Sequence, residues 1–333
     1  MRVLEEFKEK AQSANVVPVV DTISADLLTP LAVYLKLSDG SENSFLLESV
    51  EGGETLARYS FIGAEPDFIA LGDGKATRVA SPEGRSDLSV PMLQFLREHF
   101  AKYRVHTDES LPSFIGGAIG TFNFECAAWF EPCLKKAGFN DDSAAMMFFS
   151  SIVAFDHAKQ VIQIITLVFT DEAGGEDARL ETLFEKAKAD NERIRARLEA
   201  DAIKLSRESN KRSAEAVSNW ERTNFEAAVS EIKERINAGE AYQVVISQCF
   251  SKPTNASPVA IYRAVRSLNP SPYMFLVRFG DRSVIGASPE MLVRVRGRDL
   301  EYRPIAGTRP RGRSADEDVR LADEMRADRK EVA

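Results

Sequence analysis

The 333-residue chain is short of cysteine, histidine, long apolar runs and positive charge, and each shortage narrows what it can be. Its three cysteines, Cys126, Cys133 and Cys249, are an odd number without a C-x-x-C pair. That suits a reducing cytosol better than a disulfide framework, so they are expected as small core residues. The three histidines, His99, His106 and His157, are scattered over surface-like elements and make no ligand set. The longest apolar run, Val161 to Phe169, contains Gln163 and Thr166 and falls well short of the roughly 20 residues that span a bilayer. The N-terminus, Met1 to Lys8, alternates charged and apolar positions and offers no secretory h-region. Against 43 Lys and Arg stand 51 Asp and Glu, a net charge of -8. Nucleic acid and anionic membrane surfaces reward a basic face, so neither is expected as the partner. A soluble, cytoplasmic protein is expected, and an anionic small substrate would need a local cationic pocket.

What is present is an ordinary globular composition, 44% hydrophobic, and a length that favours two domains. Leu4 to Ala11 reads as an amphipathic helix, Val16 to Val20 as a strand carrying Pro18, and Ala25 to Tyr34 as a second helix. Ser44 to Glu51 and Arg58 to Gly63 flank a glycine turn, and Pro66 to Leu71 and Lys75 to Ala80 flank Gly72-Asp73-Gly74, so two hairpins are expected. A helix over Pro91 to Tyr103 precedes Gly116-Gly117-Ala118-Ile119-Gly120, which lacks the lysine of a phosphate loop and reads as tight packing or a bulged strand. The apolar runs Ala144 to Phe155 and Gln160 to Thr170 read as one long hairpin. Glu176 to Arg207 has the period of an amphipathic surface helix, ended by the polar stretch Ser206 to Ser213. We place a boundary there, between a domain of residues 1–205 and one of residues 218–333.

The second part opens on Thr223-Asn224-Phe225-Glu226, a capping-box pattern, with Phe225, Ala228, Val229, Ile232 and Ile236 on one helical face and Gly239 at its end. A strand is expected over Ala241 to Gln248, a helix over Pro258 to Ser267, and a strand over Tyr273 to Val277. Turns at Gly280-Asp281-Arg282 and Gly297-Arg298-Asp299 separate three further strands, and an acidic helix spans Asp316 to Lys330. Between them lies Arg303 to Gly312, with two prolines, two glycines, a threonine and three arginines. Prolines stiffen such a turn and glycines let a ligand approach its N–H groups, so it suits a carboxylate; a basic surface loop ahead of an acidic helix is the alternative.

Five segments in this order are recognisable. Leu46-Leu47-Glu48-Ser49, Gln243 to Gln248, Asn269 to Phe275, Gly286-Ala287-Ser288-Pro289-Glu290 and Pro304 to Thr308 give the chain its likeness: it resembles the large, chorismate-binding subunit of anthranilate synthases, along its whole length. The resemblance implies an α+β fold of two facing antiparallel sheets with helices outside, C-terminally truncated in this chain. It implies a lyase of tryptophan biosynthesis in which ammonia attacks C2 of chorismate, the C4 hydroxyl leaves and pyruvate is eliminated. Glu290 would be the general acid for the departing hydroxyl; a strand-start surface residue paired with Arg294 is the alternative. Gln243 stands where related isochorismate and salicylate synthases carry a base lysine, which fits a nucleophile that needs no activation, or is a strand amide satisfying a neighbour. Ala306 stands where one type of aminodeoxychorismate synthase carries a nucleophilic lysine, and it leaves room for ammonia. Gly307 and Thr308 would contact a substrate carboxylate.

The same resemblance implies feedback inhibition by L-tryptophan, bound by Glu48, Ser49, Pro272, Tyr273 and Met274, although Tyr273 and Met274 also suit an ordinary strand core. It implies a Mg²⁺ cofactor whose glutamate ligands are expected beyond residue 333, none within the chain; Glu331 is not assigned to it. A separate glutamine amidotransferase subunit would supply ammonia, since no glutaminase nucleophile is recognisable. A chain ending at residue 333 is not expected to turn over chorismate alone. The alternatives are an aminodeoxychorismate synthase and a non-catalytic tryptophan-binding fragment.

Overall fold

The apolar run from Ala144 to Phe155 does not form one strand of a hairpin: it divides at Ser150 between two sheets. In this computed structural model, which describes residues 2–49, 58–134, 144–200, 215–302 and 309–328, the division organises the larger of two units, residues 1–203 with 262–333. Its elements are α1 (Arg2–Ser13), β1 (Val16–Ser24), α2 (Pro30–Ser38), β2 (Asn43–Glu48), β3 (Tyr59–Ala64), β4 (Phe68–Gly72), β5 (Thr77–Ser81) and β6 (Gly84–Leu88). Then come α3 (Met92–Phe100), β7 (Gly117–Phe122), β8 (Ala144–Phe149), β9 (Ser151–Asp156), β10 (Val161–Phe169) and α4 (Asp177–Glu199). The smaller unit, residues 204–261, holds β11 (Val217–Ser218), α5 (Arg222–Asn237), β12 (Phe250–Ser251) and the start of α6 (Pro258–Leu268). The chain finishes with β13 (Tyr273–Phe279), β14 (Arg282–Ser288), β15 (Arg294–Arg296), β16 (Asp299–Glu301) and α7 (Ala315–Ala327).

Two large antiparallel sheets, with strand orders β1-β10-β9-β3-β2-β13-β14 and β6-β5-β4-β8-β7, dominate the larger unit, which also holds the β15-β16 pair. β13 and β14 therefore complete a sheet begun near the N-terminus. Period-two alternation decides which side chains meet between the sheets. Phe45 of β2 and Val277 of β13 share a buried cluster with Met147 and Phe149 of β8, and the Phe45 and Phe149 rings meet edge to face at 4.9 Å. Fully burying such side chains contributes roughly 1.5–3 kcal/mol each. The opposite face of the seven-stranded sheet carries Ser44, Leu46 and Glu48 and is covered by helices: the Tyr34 and Ser44 hydroxyls lie 3.1 Å apart. Asn191 of α4, 2% exposed, accepts from Thr166 at 2.7 Å and donates to the Val19 carbonyl at 3.0 Å.

At the sheet crossing, the Ser150 backbone N–H and hydroxyl both donate to Asp67, at 2.6 and 2.8 Å, and its carbonyl accepts from Leu167 at 2.8 Å. These bonds fix the residue that leaves one ladder before it joins the other. Pro18 is tolerated because β1 is an edge strand. Gly120 reflects tight packing: an added Cβ would fall 2.0 Å from the Ala145 carbonyl oxygen.

Several expectations need correction. The helix expected over Ala25 to Tyr34 begins later: Thr29 caps it by accepting from Ala32 N, Pro30 follows, and Leu27 is 90% exposed outside it. The capping box at Thr223 and Glu226 does not form, because Glu221 takes the N-cap position and Glu226 accepts from Arg222 at 2.7 Å instead. The five residues expected on one face of that helix are nonetheless its half-buried ones, and Gly239 closes it at φ +82°. Ala241 to Gln248 is not a strand, since it has no partner ladder among the described residues. β5 continues into β6, a strand not anticipated. Of the cysteines only Cys126 is buried; Cys133 and Cys249 are exposed. His99 is packed against Phe68, Phe148 and Tyr103 rather than lying on the surface.

Candidate functional site

β2 and β13 are antiparallel neighbours in a register that sets Glu48 opposite Met274 and Leu47 opposite Phe275. One residue further, where the ladder ends, the Ser49 hydroxyl donates to the Pro272 carbonyl at 2.7 Å. Residues more than two hundred positions apart are thus joined at one strand end. Glu48 is 3% exposed and Met274 1%. A carboxylate that deep must be partnered, and it is: Tyr262 donates its hydroxyl to Oε2 at 2.7 Å, while Arg266 donates Nε to Oε2 at 2.8 Å and Nη2 to Oε1 at 2.9 Å.

Both partners come from α6, where residues four apart share a helical face. The hydrogen bond to Glu48 raises the Arg266 guanidinium further into its charged state. Burial first, and then the Glu48 charge, push the Tyr262 phenol far above its ordinary range, so it remains a donor. On the same face, at the edge of β3, Ser60 shares a 2.8 Å hydrogen bond with His157 Nε2. Burial lowers the His157 pKa, partly opposed by the negative charges of Glu48 and Asp156. The sequence reading named Glu48 but missed Tyr262 and Arg266; their i,i+4 spacing on an expected helix was the available signal.

β13 also pairs with β14, setting Tyr273 opposite Ser288. Just past that pair the Ser288 hydroxyl donates to the Glu290 carbonyl at 2.9 Å. Glu290 therefore sits at the same end of the three strands as Glu48, on a turn tied down by its own serine. Its side chain is exposed, and Arg294, the alternative partner considered from sequence, reaches Glu301 at 3.2 Å.

Gln243 belongs to the smaller unit, in an exposed segment outside any ladder. Ala306, Gly307 and Thr308 lie outside the described residues. Of the loop that contains them, Arg309 binds Asp328 at 2.9 Å, Arg311 donates Nε to Asp318 at 2.9 Å, and Gly312 N–H donates to the same carboxylate at 2.7 Å. Its described arginines face the acidic helix that follows. Among the described residues no three His, Cys, Asp or Glu side chains converge to hold a metal ion. They do not supply the donor set of a magnesium site. No helix among them is long and apolar enough to cross a membrane.

Two solved structures share this fold. Anthranilate synthase component I from Streptococcus pneumoniae TIGR4 superposes with a TM-score of 0.61 at 24% identity, covering 93% of this chain and 65% of that one. The menaquinone-specific isochorismate synthase of Escherichia coli does so at 0.51 and 16%, covering 99% and 65%. The fold is thus the α+β architecture of chorismate-utilising enzymes. A sequence profile described as "chorismate binding enzyme" matches residues 42–333. The chain belongs to the chorismate-binding enzyme family, and the curated relatives it matches include anthranilate synthase component 1 proteins. It is 38% identical over 341 residues to that of Pseudomonas aeruginosa, with 99% of this chain and 67% of the relative aligned. It is 36% identical over 339 residues to the probable component 1 of Schizosaccharomyces pombe, with 100% and 65% aligned. The chain spans about two thirds of the length of the curated relatives it matches.

Proposed function

We propose that this chain carries the regulatory region and the first part of the catalytic region of an anthranilate synthase component 1. The reaction takes chorismate and ammonia to anthranilate, pyruvate and water. The observation that carries this reading is similarity to anthranilate synthase component 1 proteins along essentially the whole chain, together with Ala306 in place of a nucleophilic lysine. That combination favours amination at C2 over the aminodeoxychorismate outcome.

In this reading residues 1–205 are the regulatory domain and residues 218–333 part of the catalytic one. Glu290 protonates the departing C4 hydroxyl, Gln243 orients without abstracting a proton, and Ala306, Gly307 and Thr308 accommodate ammonia and a substrate carboxylate. Mg²⁺ would be held by residues beyond those described. A glutamine amidotransferase subunit delivers ammonia, in the cytoplasm. Tryptophan is the effector. Glu48 would receive its ammonium and Ser49 one of its polar groups, with Pro272, Tyr273 and Met274 against the ring. Glu48 Oε1 accepts a single described hydrogen bond and so keeps a lone pair for such a donor. The route from this site to Glu290 is short, through the Ser49 bond to Pro272 and the Tyr273–Ser288 pair. Occupancy that shifts β13 would therefore shift the acid's turn.

The test is fluorescence of the complete gene's product with chorismate, Mg²⁺ and ammonium, with and without tryptophan, because anthranilate is fluorescent and aminodeoxychorismate lacks its aromatic ring. Anthranilate suppressed by tryptophan supports both assignments. An aminated product that retains pyruvate would sink the C2 reading.

A further inference from the structure

A cavity of about 680 Å³ opens in the larger unit and shares no residue with the Glu48 cluster or the Ser288–Glu290 turn. It lies where the chain crosses between sheets at Phe149 and Ser150, beneath α3 and α4. Its apolar surface combines aliphatic side chains with a group of aromatic ones. Phe148 stacks on Phe68 at 4.1 Å between centroids, Tyr103 leans on Phe169 at 5.1 Å, and Phe100 remains 43% exposed beside them.

The charged groups on the walls are one-sided: Asp67, Asp171, Glu172 and Asp190 against Lys186. Two of the carboxylates are held by neutral donors, Asp67 by Ser150 at 2.6 and 2.8 Å and Asp171 by the Asn15 amide at 2.7 Å. Asp190 lies 3.3 Å from Arg193 on its own helix. Burial lowers the His99 pKa, and the Lys102 charge lowers it further. The excess of negative charge is felt at both ends of the cavity. Burial raises the Asp67 pKa and the charge of Asp190 adds to the rise; burial raises that of Tyr103, with Glu172 and Asp171 adding to it.

We propose that this cavity is a binding site for a small organic cation with a flat ring, an arylalkylammonium. Its ring would lie against Phe100 and Tyr103, and its ammonium would face Asp171 and Glu172, the two carboxylates at the Tyr103 end of the cavity. The volume falls within the range of small-molecule sites. An aromatic wall also favours a cation over a neutral or anionic guest of the same shape, through the negative face of each ring. This inference is independent of the function proposed above, and its test needs no turnover.

The experiment is calorimetric titration of the full 333-residue chain with three probes of matched size: phenethylammonium, 2-phenylethanol and 3-phenylpropionate. Phenethylammonium is expected to bind about tenfold more tightly than either other probe. In an Asp171→Asn, Glu172→Gln chain that preference is expected to disappear while the weaker affinity for the alcohol remains. Raising the salt concentration should weaken the ammonium alone. Should the double variant not fold, as judged by its circular dichroism, the salt series on the unaltered chain decides. The proposal is overturned if the alcohol binds as tightly as the ammonium, if no probe binds at millimolar concentration, if the folded variant keeps the preference, or if salt leaves the ammonium's affinity unchanged.

Discussion

Glu48 and Arg266 are 218 residues apart in sequence and share two hydrogen bonds, of 2.8 and 2.9 Å, in the protein interior. The carboxylate is almost wholly buried, while the guanidinium keeps 40% of its side-chain surface in water. Removing the arginine leaves a desolvated anion held, among the described residues, by Tyr262 alone. A fully buried pair broken in this way costs about 3–5 kcal/mol; water at the Arg266 side lowers the expectation for Arg266→Gln to about 2 kcal/mol. Glu48→Gln removes the charge itself and is expected to cost less. Urea unfolding of the two variants decides the order, and a larger loss in Glu48→Gln would contradict this account of the site.

Gly286 faces Phe275 across the β13–β14 ladder, and a Cβ added there would lie 2.2 Å from the Phe275 ring. The glycine lets the ring cover the neighbouring backbone. Gly286→Ala must push the ring out of a packed position next to the candidate effector residues, at an expected cost of about 1–3 kcal/mol. Thermal unfolding measures it. A Gly286→Ala chain as stable as the original would mean that the ring has other room.

Much of this was legible in advance, and the exceptions share a cause. Helices with a clear apolar period, such as α4 with Leu183, Phe184, Ala187, Ile194 and Leu198, and hairpins marked by glycine turns, such as the one through Gly280 and Asp281, need only local information. The five candidate effector residues could be named from their segments, but that Glu48 lies opposite Met274 is a matter of long-range register that no local pattern contains. The run Ala144 to Phe155 is broken only by Ser150 and Ser151, a polar pair that would equally suit a short turn or a bulge within one strand; the Asp67 that makes it a change of sheet is 83 residues away. Ala241 to Gln248 has the composition of a strand, yet composition cannot supply a neighbour to pair with.

Asp156 tests the electrostatics with a definite sign. Burial alone would raise its pKa, but the Arg58 side chain at 2.9 Å and the N–H groups of Ala158 and Lys159 outweigh it, and the net shift is downward. The unfolded chain therefore takes up a proton at higher pH than the folded one. The stabilisation is fully present above the ordinary carboxylate range, about pH 4, and is lost as pH falls through the depressed folded value. Asp156→Asn is expected to lower stability by about 1–2 kcal/mol at pH 7 and by much less near pH 2. Chemical denaturation at the two pH values provides the comparison, and a pH-independent difference would remove the ion pair from the explanation.

Glu290 and Ser49 lie at the same end of the same sheet and are expected to fail in different ways. Glu290→Gln keeps the turn, whose hydrogen bond runs from the Ser288 hydroxyl to the residue 290 backbone, but removes the transferable proton. In the complete gene's product, kcat for anthranilate formation is expected to fall by about 10²–10⁴, while tryptophan still binds because Glu48, Tyr262 and Arg266 are untouched. Ser49→Ala removes the bond to the Pro272 carbonyl and with it a polar contact at the effector site. About tenfold more tryptophan should then be needed for half inhibition. Anthranilate fluorescence and tryptophan calorimetry on both variants separate the two roles. Substantial turnover by Glu290→Gln would strip that residue of the acid's role, and unchanged inhibition in Ser49→Ala would break the proposed path from effector to turn.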